Sequence, residues 1–225
     1  MSVDVARPQT LLFIGDSVTD SGWIDDPEYW GNGYVREVAA QLRAAHPGSG
    51  IRVVNRGTGG DRVRDLRARW DADCLAVVPD IVSVLIGAND TWRRFDADDP
   101  TSAADYERDY EHILARACEE TTADLVLIEP FVVPVRPEQW LWRQDLDERI
   151  QVTRQLAERF DAVLVAADGM LASLARQLGD PRIVTDDGIH PSKTGHEALA
   201  TLWLEQAGCP VCSAAPGTMV HSSTS

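Results

Sequence analysis

No run of apolar residues in the 225-residue sequence approaches the roughly 20 residues that a membrane-spanning helix needs. The first apolar run, from Leu11 to Ile14, is also too short for the core of a secretory signal, and it leads into Gly-Asp-Ser. We therefore expect a cytoplasmic protein that does not insert into a membrane.

Cysteine is scarce, with 4 residues in the whole chain, so the sequence is not a disulfide scaffold. Cys74 and Cys118 are predicted to be buried apolar side chains. Cys209 and Cys212 have the spacing of a redox pair or of half a zinc site, but no second pair accompanies them. A passive role is the favoured interpretation of this pair.

Basic residues are outnumbered, since 21 Lys and Arg stand against 36 Asp and Glu, and the formal net charge is −15 at pH 7. The resulting negative field repels phosphate backbones and anionic membrane surfaces, although keeping the protein soluble accounts for most of the charge. Nucleic acid is therefore excluded as an expected partner. The 44% of apolar and 25% of charged residues are typical of a globular protein.

Short β-rich apolar runs alternate with longer segments of helical periodicity, which is typical of a parallel sheet covered on both faces. Apolar residues at helical spacing, as at Val35, Val38 and Leu42, mark the covering helices. The pattern predicts an α/β fold, a single-domain three-layer α/β/α sandwich with a five-stranded parallel sheet. The predicted strands are residues 10–15, 51–55, 80–86, 124–128 and 162–165.

The last helix is expected to begin near Ser192, the candidate N-cap, and to end at about residues 207–208. The composition then turns to Ser, Thr, Pro and Gly. Residues 1–208 are therefore predicted to form the folded domain, and residues 209–225 a flexible tail.

Ligands of doubly wound sheets bind at the carboxyl ends of the strands. Four loops with reactive or hydrogen-bonding groups are expected at that edge. They are Asp16-Ser17, residues 57–61, residues 87–90 and the late loop that contains Asp187 and His190.

Ser17 and the Asp187/His190 pair have the residue types of a nucleophilic hydrolase. Ser17 would be exposed at the start of a helical turn that follows a strand. Asp187 precedes His190 by three residues, close enough to bind the ring Nδ1–H and to leave Nε2 free to accept the serine proton. Taken singly, each has a plain alternative, an N-capping serine or a surface histidine after an Asx turn.

Two further loops could stabilise an oxyanion. The glycines that end at Gly60 allow backbone N–H groups to approach a ligand oxygen. Asn89 offers a side-chain amide to the same oxygen, whereas Asp90 is interpreted as a structural hydrogen-bond partner of its loop.

The four blocks occur in a defined order: Gly15-Asp16-Ser17, the loop of Gly60, Gly87-x-Asn89-Asp90 and Asp187-x-x-His190. In these blocks the sequence resembles the SGNH (GDSL-type) hydrolases, from about residue 11 to 207. The resemblance implies a flavodoxin-like fold and a serine esterase with Ser17 as nucleophile, His190 as base and Asp187 as its partner. It implies an oxyanion hole of the Ser17 and Gly60 N–H groups with the Asn89 amide. This mechanism needs no cofactor, and no metal site is expected because the other histidines stand apart without the spacing of zinc ligands.

Within this family the sequence is most similar to the intracellular acetylxylan esterase branch, which implies removal of acetyl groups from short xylo-oligosaccharides. Asp16, Tyr34 and Trp92 are the candidate pocket residues. The sequence departs from the branch at Asp186, where a Trp is expected. The similar segments are Gly33-Tyr34-Val35, Arg52-Val53-Val54-Asn55-Arg56-Gly57, Val63-Arg64-Asp65-Leu66-x-x-Arg69-Trp70 and Asn89-Asp90-x-Trp92-Arg93.

Two alternatives stay open at this point. A lysophospholipase or acyl-CoA thioesterase would use the same residues with a longer acyl groove, and a catalytically silent carbohydrate-binding module would keep only the fold. Aromatic residues around the predicted rim suit either sugar rings or acyl chains. They are also consistent with a homo-oligomer.

Overall fold

The computed structural model describes residues 8–208, whose strands form one parallel five-stranded sheet in the order β2-β1-β3-β4-β5. The predicted sheet is thereby confirmed, while the predicted tail with Cys209 and Cys212 lies outside the described residues. The strand order reverses between β1 and β3, which makes the edge beyond them the expected ligand site. The strands are β1 Thr10–Gly15, β2 Arg52–Gly57, β3 Ile81–Leu85, β4 Asp124–Ile128 and β5 Val163–Val165.

Helices cover both faces of the sheet, and none of those within residues 8–208 is long and apolar enough to cross a membrane. Short 3-10 turns occur at Trp23–Asp25, Leu75–Val77, Pro137–Trp142 and Pro181–Ile183. The helices are α1 Ser17–Asp20, α2 Tyr34–Ala45, α3 Val63–Ala68, α4 Trp70–Asp73, α5 Ala88–Asp96, α6 Ala103–Glu120, α7 Arg143–Arg159, α8 Ala167–Leu178 and α9 Lys193–Gln206.

Two apolar cores separate the sheet from its helices. Successive residues of β1 point to opposite faces, so Leu11 and Phe13 belong to one core and Leu12 and Ile14 to the other. Helices α2, α8 and α9 pack on the first face, and α3, α4, α6 and α7 on the second. Burial on both faces explains why β1 is a continuous apolar run rather than an alternating one.

The predicted boundaries hold best where a local signal ends the element. Strands β1 and β4 have the predicted bounds, and Ser192 caps α9 by accepting a hydrogen bond from the Gly195 N–H at 3.3 Å. Cys74 is buried as predicted, but the prediction for Cys118 is wrong because it is exposed. Cys118 lies one position beyond the buried Ala117 of α6, so the helical turn carries its side chain to the solvent side.

A fully buried arginine connects α7 to the start of α5. Arg149 pairs with Asp145 (Nη1 to Oδ2, 2.8 Å) and donates hydrogen bonds to the carbonyl oxygens of Asp90 and Thr101. Asp90 directly follows Asn89 in α5. A buried guanidinium is costly unless its partners are in place, so the three contacts act together to hold these segments.

We expect Arg149→Met to lower the free energy of unfolding by about 3 kcal/mol, because the Asp145 carboxylate then stays buried with Arg94 as its remaining ion-pair partner. Urea unfolding followed by circular dichroism measures the change. Arg159→Met is the matched control on the same helix: its ion pairs with Glu107 and Glu111 are exposed, and their loss should leave the unfolding midpoint close to that of wild type. Equal unfolding midpoints for the two variants would contradict a stabilising role of the buried Arg149 contacts.

Candidate active site

Ser17 lies at the carboxyl end of β1, as the first residue of the short helix α1. Asp16 caps that helix, and its Oδ1 accepts a hydrogen bond from the Val18 N–H at 3.0 Å. The cap fixes the turn that carries Ser17 out of the strand. Ser17 is half-buried, with its hydroxyl at the sheet edge where the strand order reverses.

The structure brings Ser17, His190 and Asp187 together in one hydrogen-bonded chain. The Ser17 Oγ is 2.9 Å from Nε2 of His190, and Nδ1 of His190 is 2.8 Å from Oδ2 of Asp187. The other Asp187 oxygen accepts the backbone N–H groups of Ile189 and His190 at 3.0 and 2.9 Å. This arrangement can move the serine proton to the imidazole while the carboxylate holds the ring.

The pKa shifts of Asp187 and His190 favour proton transfer from Ser17 to the imidazole. Partial burial alone would raise the pKa of Asp187, but the hydrogen bonds from His190 and Ile189 hold it well below its ordinary value. The hydrogen bond with Asp187 raises the pKa of His190, against the opposing effect of partial burial. An ionised Asp187 favours the tautomer with the proton on Nδ1, and Nε2 is then an acceptor for the serine proton.

Gln139, which the sequence analysis missed, holds the loop of the pair in place. Its Nε2 donates to the carbonyl oxygen of Asp187 at 2.6 Å, and its Oε1 accepts the N–H groups of Val135 and Arg136. Gly188 has φ of +102°, and a Cβ there would lie 2.4 Å from the Gln139 amide nitrogen. The close contact and the positive φ both require glycine between Asp187 and His190.

The glycine loop passes beside the nucleophile. A Cβ on Gly59 would lie 3.9 Å from the Cβ of Ser17, and the Gly59 N–H is held by Oδ2 of Asp20 at 3.0 Å. Gly60 is exposed and adopts φ of +85°, a conformation that favours glycine. The N–H of Gly60 is therefore part of the glycine loop that borders Ser17.

Asn89 is joined to the same loop, since its Nδ2 donates to the carbonyl oxygen of Asp61 at 3.0 Å. A side-chain amide carries two N–H donors, so one stays available to a ligand oxygen. Asn89 is buried at the second position of α5, directly after β3. The two candidate oxyanion donors, Gly60 and Asn89, thus come from neighbouring loops at the switch point.

Arg69 braces this region and was not recognised as a site residue from the sequence. Its Nε donates to Oδ2 of Asp61 at 2.7 Å, and its two terminal nitrogens donate to the carbonyl oxygens of Arg56 and Gly15 at 2.9 and 3.0 Å. The guanidinium therefore connects the ends of β1 and β2 to the residue that accepts the Asn89 amide.

We expect Asn89→Ala to lower kcat by roughly 10²- to 10³-fold, as the loss of an oxyanion donor does. Arg69→Met should lower it roughly 10- to 100-fold by misplacing that donor. If Arg69 acts through Asn89, the double variant should be scarcely slower than Asn89→Ala alone. The kcat values of wild type, the two single variants and the double variant are measured with p-nitrophenyl acetate. A double variant whose loss of kcat equals the product of the two single losses would exclude this coupling.

The three candidate pocket residues are not placed together on the pocket surface. Tyr34 is fully buried, where its hydroxyl contacts Thr19 Oγ1 at 3.1 Å, so its proposed lining role is corrected. Asp16 is also buried below Ser17, and burial raises its pKa to about 7, against the lowering effect of the Val18 N–H. Trp92 does border the site, with its ring centroid 6.1 Å from that of His190.

An aromatic wall extends outward from His190. Trp92 is 6.1 Å from Trp142 between ring centroids, and Phe95 stacks on Trp142 at 5.5 Å with an interplanar angle of 18°. Trp142 is buried, so Trp92 and Phe95 carry the flat faces that a sugar ring or an acyl chain can contact. Asp186 is exposed beside the pair rather than part of this wall. Within residues 8–208, no group of three His, Cys, Asp or Glu side chains is arranged to hold a metal ion.

Comparison with known proteins places the chain among hydrolases. The model of the GDSL-like Lipase/Acylhydrolase family matches residues 13–198. An acetylxylan esterase from Geobacillus stearothermophilus is 37% identical over 213 residues, which cover 91% of this chain and 96% of that esterase. The crystal structure of Axe2, an acetylxylan esterase from the same organism, has a TM-score of 0.83 at 34% identity, covering 91% of this chain and 96% of that chain. A putative GDSL-like lipase from Parabacteroides merdae has a TM-score of 0.87 at 31% identity, covering 92% and 99%.

Proposed function

Because this chain belongs to the GDSL-like lipase/acylhydrolase family, we propose that it removes O-acetyl groups from carbohydrates such as acetylated xylo-oligosaccharides, with Ser17 as nucleophile. The chain is a carboxylic ester hydrolase. The observation that carries the proposed mechanism is the continuous contact of Ser17, His190 and Asp187, at 2.9 and 2.8 Å. The 37% identity to an acetylxylan esterase supports the choice of substrate.

In the first half of the proposed reaction, Ser17 Oγ attacks the acetyl carbonyl carbon while Nε2 of His190 takes its proton. The negative oxygen that develops would be stabilised by the N–H groups of Ser17 and Gly60 and by the Asn89 amide. The ester bond to the sugar then breaks, and His190 returns its proton to the departing sugar oxygen. An acetyl group is left on Ser17.

In the second half, His190 removes a proton from water, and the resulting hydroxide attacks the acetyl-Ser17 carbonyl. The serine oxygen leaves with the proton from His190, and acetate is released. Asp187 stabilises the imidazolium in both halves. The two-step route predicts ping-pong kinetics and needs no cofactor.

The substrate class is tested by the length of the acyl group. We expect p-nitrophenyl acetate to be cleaved with a higher kcat/KM than p-nitrophenyl octanoate, because an acyl pocket of acetyl size would exclude the longer chain. An open groove would instead gain up to about 0.8 kcal/mol for each buried methylene. Faster cleavage of the octanoate would contradict the acetylesterase proposal and favour a lysophospholipase or acyl-CoA thioesterase.

A further inference from the structure

A groove of about 560 Å³ lies along β2, beside the active site but separate from the aromatic wall. Strand β2 is at the edge of the sheet and pairs only with β1 among the described strands. The volume falls within the range of small-molecule sites. The residues that line it and matter here are Trp23, Tyr29, Arg56, Thr58, Arg69 and Asp73.

The Trp23 ring is fixed in one orientation at this groove. Its Nε1–H donates to the carbonyl oxygen of Gly57 at 2.8 Å, and the Arg56 guanidinium carbon lies 5.1 Å from the ring centroid. The Tyr29 ring is its neighbour, at 6.4 Å between centroids and an angle of 58°. The pair offers two apolar faces that carry polar edges.

Tyr29 is presented to solvent at a cost in backbone energy. Its side chain is 60% exposed, and its φ of +59° is uncommon for a residue with a bulky side chain. The Tyr29 N–H bonds to the Asp26 carbonyl oxygen at 2.9 Å, and Oδ2 of Asp26 accepts the N–H groups of Trp30 and Gly31. A strained and well-supported backbone under an exposed aromatic ring is typical of a binding position.

The polar part of the groove suits hydroxyl groups. Asp73 accepts a hydrogen bond from Arg69 at 3.0 Å, and its other oxygen is 3.7 Å from Nε of Arg56. Guanidinium donors and a carboxylate acceptor therefore stand beside the aromatic pair. A sugar hydroxyl both donates and accepts, whereas an acyl chain uses neither kind of partner. The groove is therefore chemically complementary to a pyranose ring, which has hydroxyl groups at its edge and an apolar face.

The groove reaches the glycine loop that borders the nucleophile. Thr58 lines it, and the next residue, Gly59, comes within 3.9 Å of Ser17 when a Cβ is placed on it. The glycine loop is therefore the segment that separates the groove from Ser17.

We propose that this groove is a second carbohydrate subsite, which binds further pyranose rings of the oligosaccharide whose acetyl group lies at Ser17. This inference rests on the proposed acetylesterase function. Tyr29 stacks on a sugar ring, while Arg56 and Asp73 contact its hydroxyls. The subsite makes longer oligosaccharides better substrates than acetylated xylose.

The test compares kcat/KM for acetylated xylotetraose with that for acetylated xylose, in wild type and in Tyr29→Ala. Loss of the aromatic face should lower the tetraose-to-xylose ratio roughly 3- to 10-fold, mainly through KM. Tyr29→Phe keeps the ring and should keep the ratio. Ile24→Ala is the matched control, since Ile24 is 68% exposed in the same loop and does not line the groove.

Two outcomes separate this inference from the function on which it rests. If wild type releases acetate from both sugars and Tyr29→Ala leaves their ratio unchanged, the subsite is wrong and the acetylesterase stands. If wild type cleaves p-nitrophenyl acetate but neither sugar, both proposals fail. A change of sedimentation coefficient in Tyr29→Ala, with an unchanged ratio, would instead assign the groove to contact with a second copy of the chain.

Discussion

Ser17→Ala is expected to lower kcat/KM for p-nitrophenyl acetate by roughly 10⁴- to 10⁶-fold, the largest effect expected of any single substitution. The substitution removes the oxygen that lies 2.9 Å from His190, and the variant is expected to keep the fold. The residual rate should come from the oxyanion donors alone, and no acyl-enzyme can form. Initial rates, together with labelling of the protein by an organophosphonate, measure the loss.

Ser173→Ala provides the control, because Ser173 lies on α8 and lines no part of the site. It should retain full activity and one equivalent of label, whereas Ser17→Ala should take up none. If the Ser17→Ala protein were labelled and active, the nucleophile would have to be a residue other than Ser17.

Asp187→Asn is expected to lower kcat by roughly 10⁴-fold, since an amide at this position favours the wrong imidazole tautomer. The substitution should also move the acid limb of the pH profile. Asp187 raises the pKa of His190, so in wild type kcat/KM falls with decreasing pH at a value above the ordinary 6.5. Without the carboxylate the pKa of His190 drops, and the residual activity should persist to lower pH.

Asp186→Asn is the matched control for this shift. Asp186 is the exposed neighbour of Asp187, and its charge contributes least among the causes that raise the pKa of His190. Its loss should leave kcat within roughly 2-fold of wild type, as for a screened surface charge. A pH profile that shifts equally in both variants would argue against the Asp187 hydrogen bond as the cause.

The fold followed from the sequence wherever apolar runs were continuous and ended at a polar residue. Strand β2 shows the limit of that signal, because the prediction ended it at Asn55 while pairing continues to Gly57. Arg56 and Gly57 pair with Ile14 and Gly15 through backbone hydrogen bonds, for which side-chain polarity is no obstacle. The pattern of apolar residues therefore indicates which residues are buried, but it does not indicate how far the hydrogen-bonded pairing of two strands extends.

The site was predictable where its chemistry is local in sequence. Asp187 and His190 are three residues apart, and Ser17 directly follows a strand and its cap. Arg69 and Gln139 act on partners up to 54 and 48 residues away, and no spacing in the sequence indicates such contacts.

Tyr34 was predicted to line the pocket but does not. Its position after the nucleophile favoured the pocket, yet the apolar face of α2 carries it into the core against Phe13.

The cytoplasmic location and a homo-oligomer stay predictions.

Acetate release from acetylated xylo-oligosaccharides, measured for wild type beside Ser17→Ala, tests the proposed substrate and the proposed nucleophile in one experiment. Wild type is expected to release acetate rapidly and Ser17→Ala to release none above background, with both proteins folded by circular dichroism. Cleavage of p-nitrophenyl acetate by wild type without any acetate from the sugars would contradict the proposed substrate, and acetate release by Ser17→Ala would contradict the proposed nucleophile.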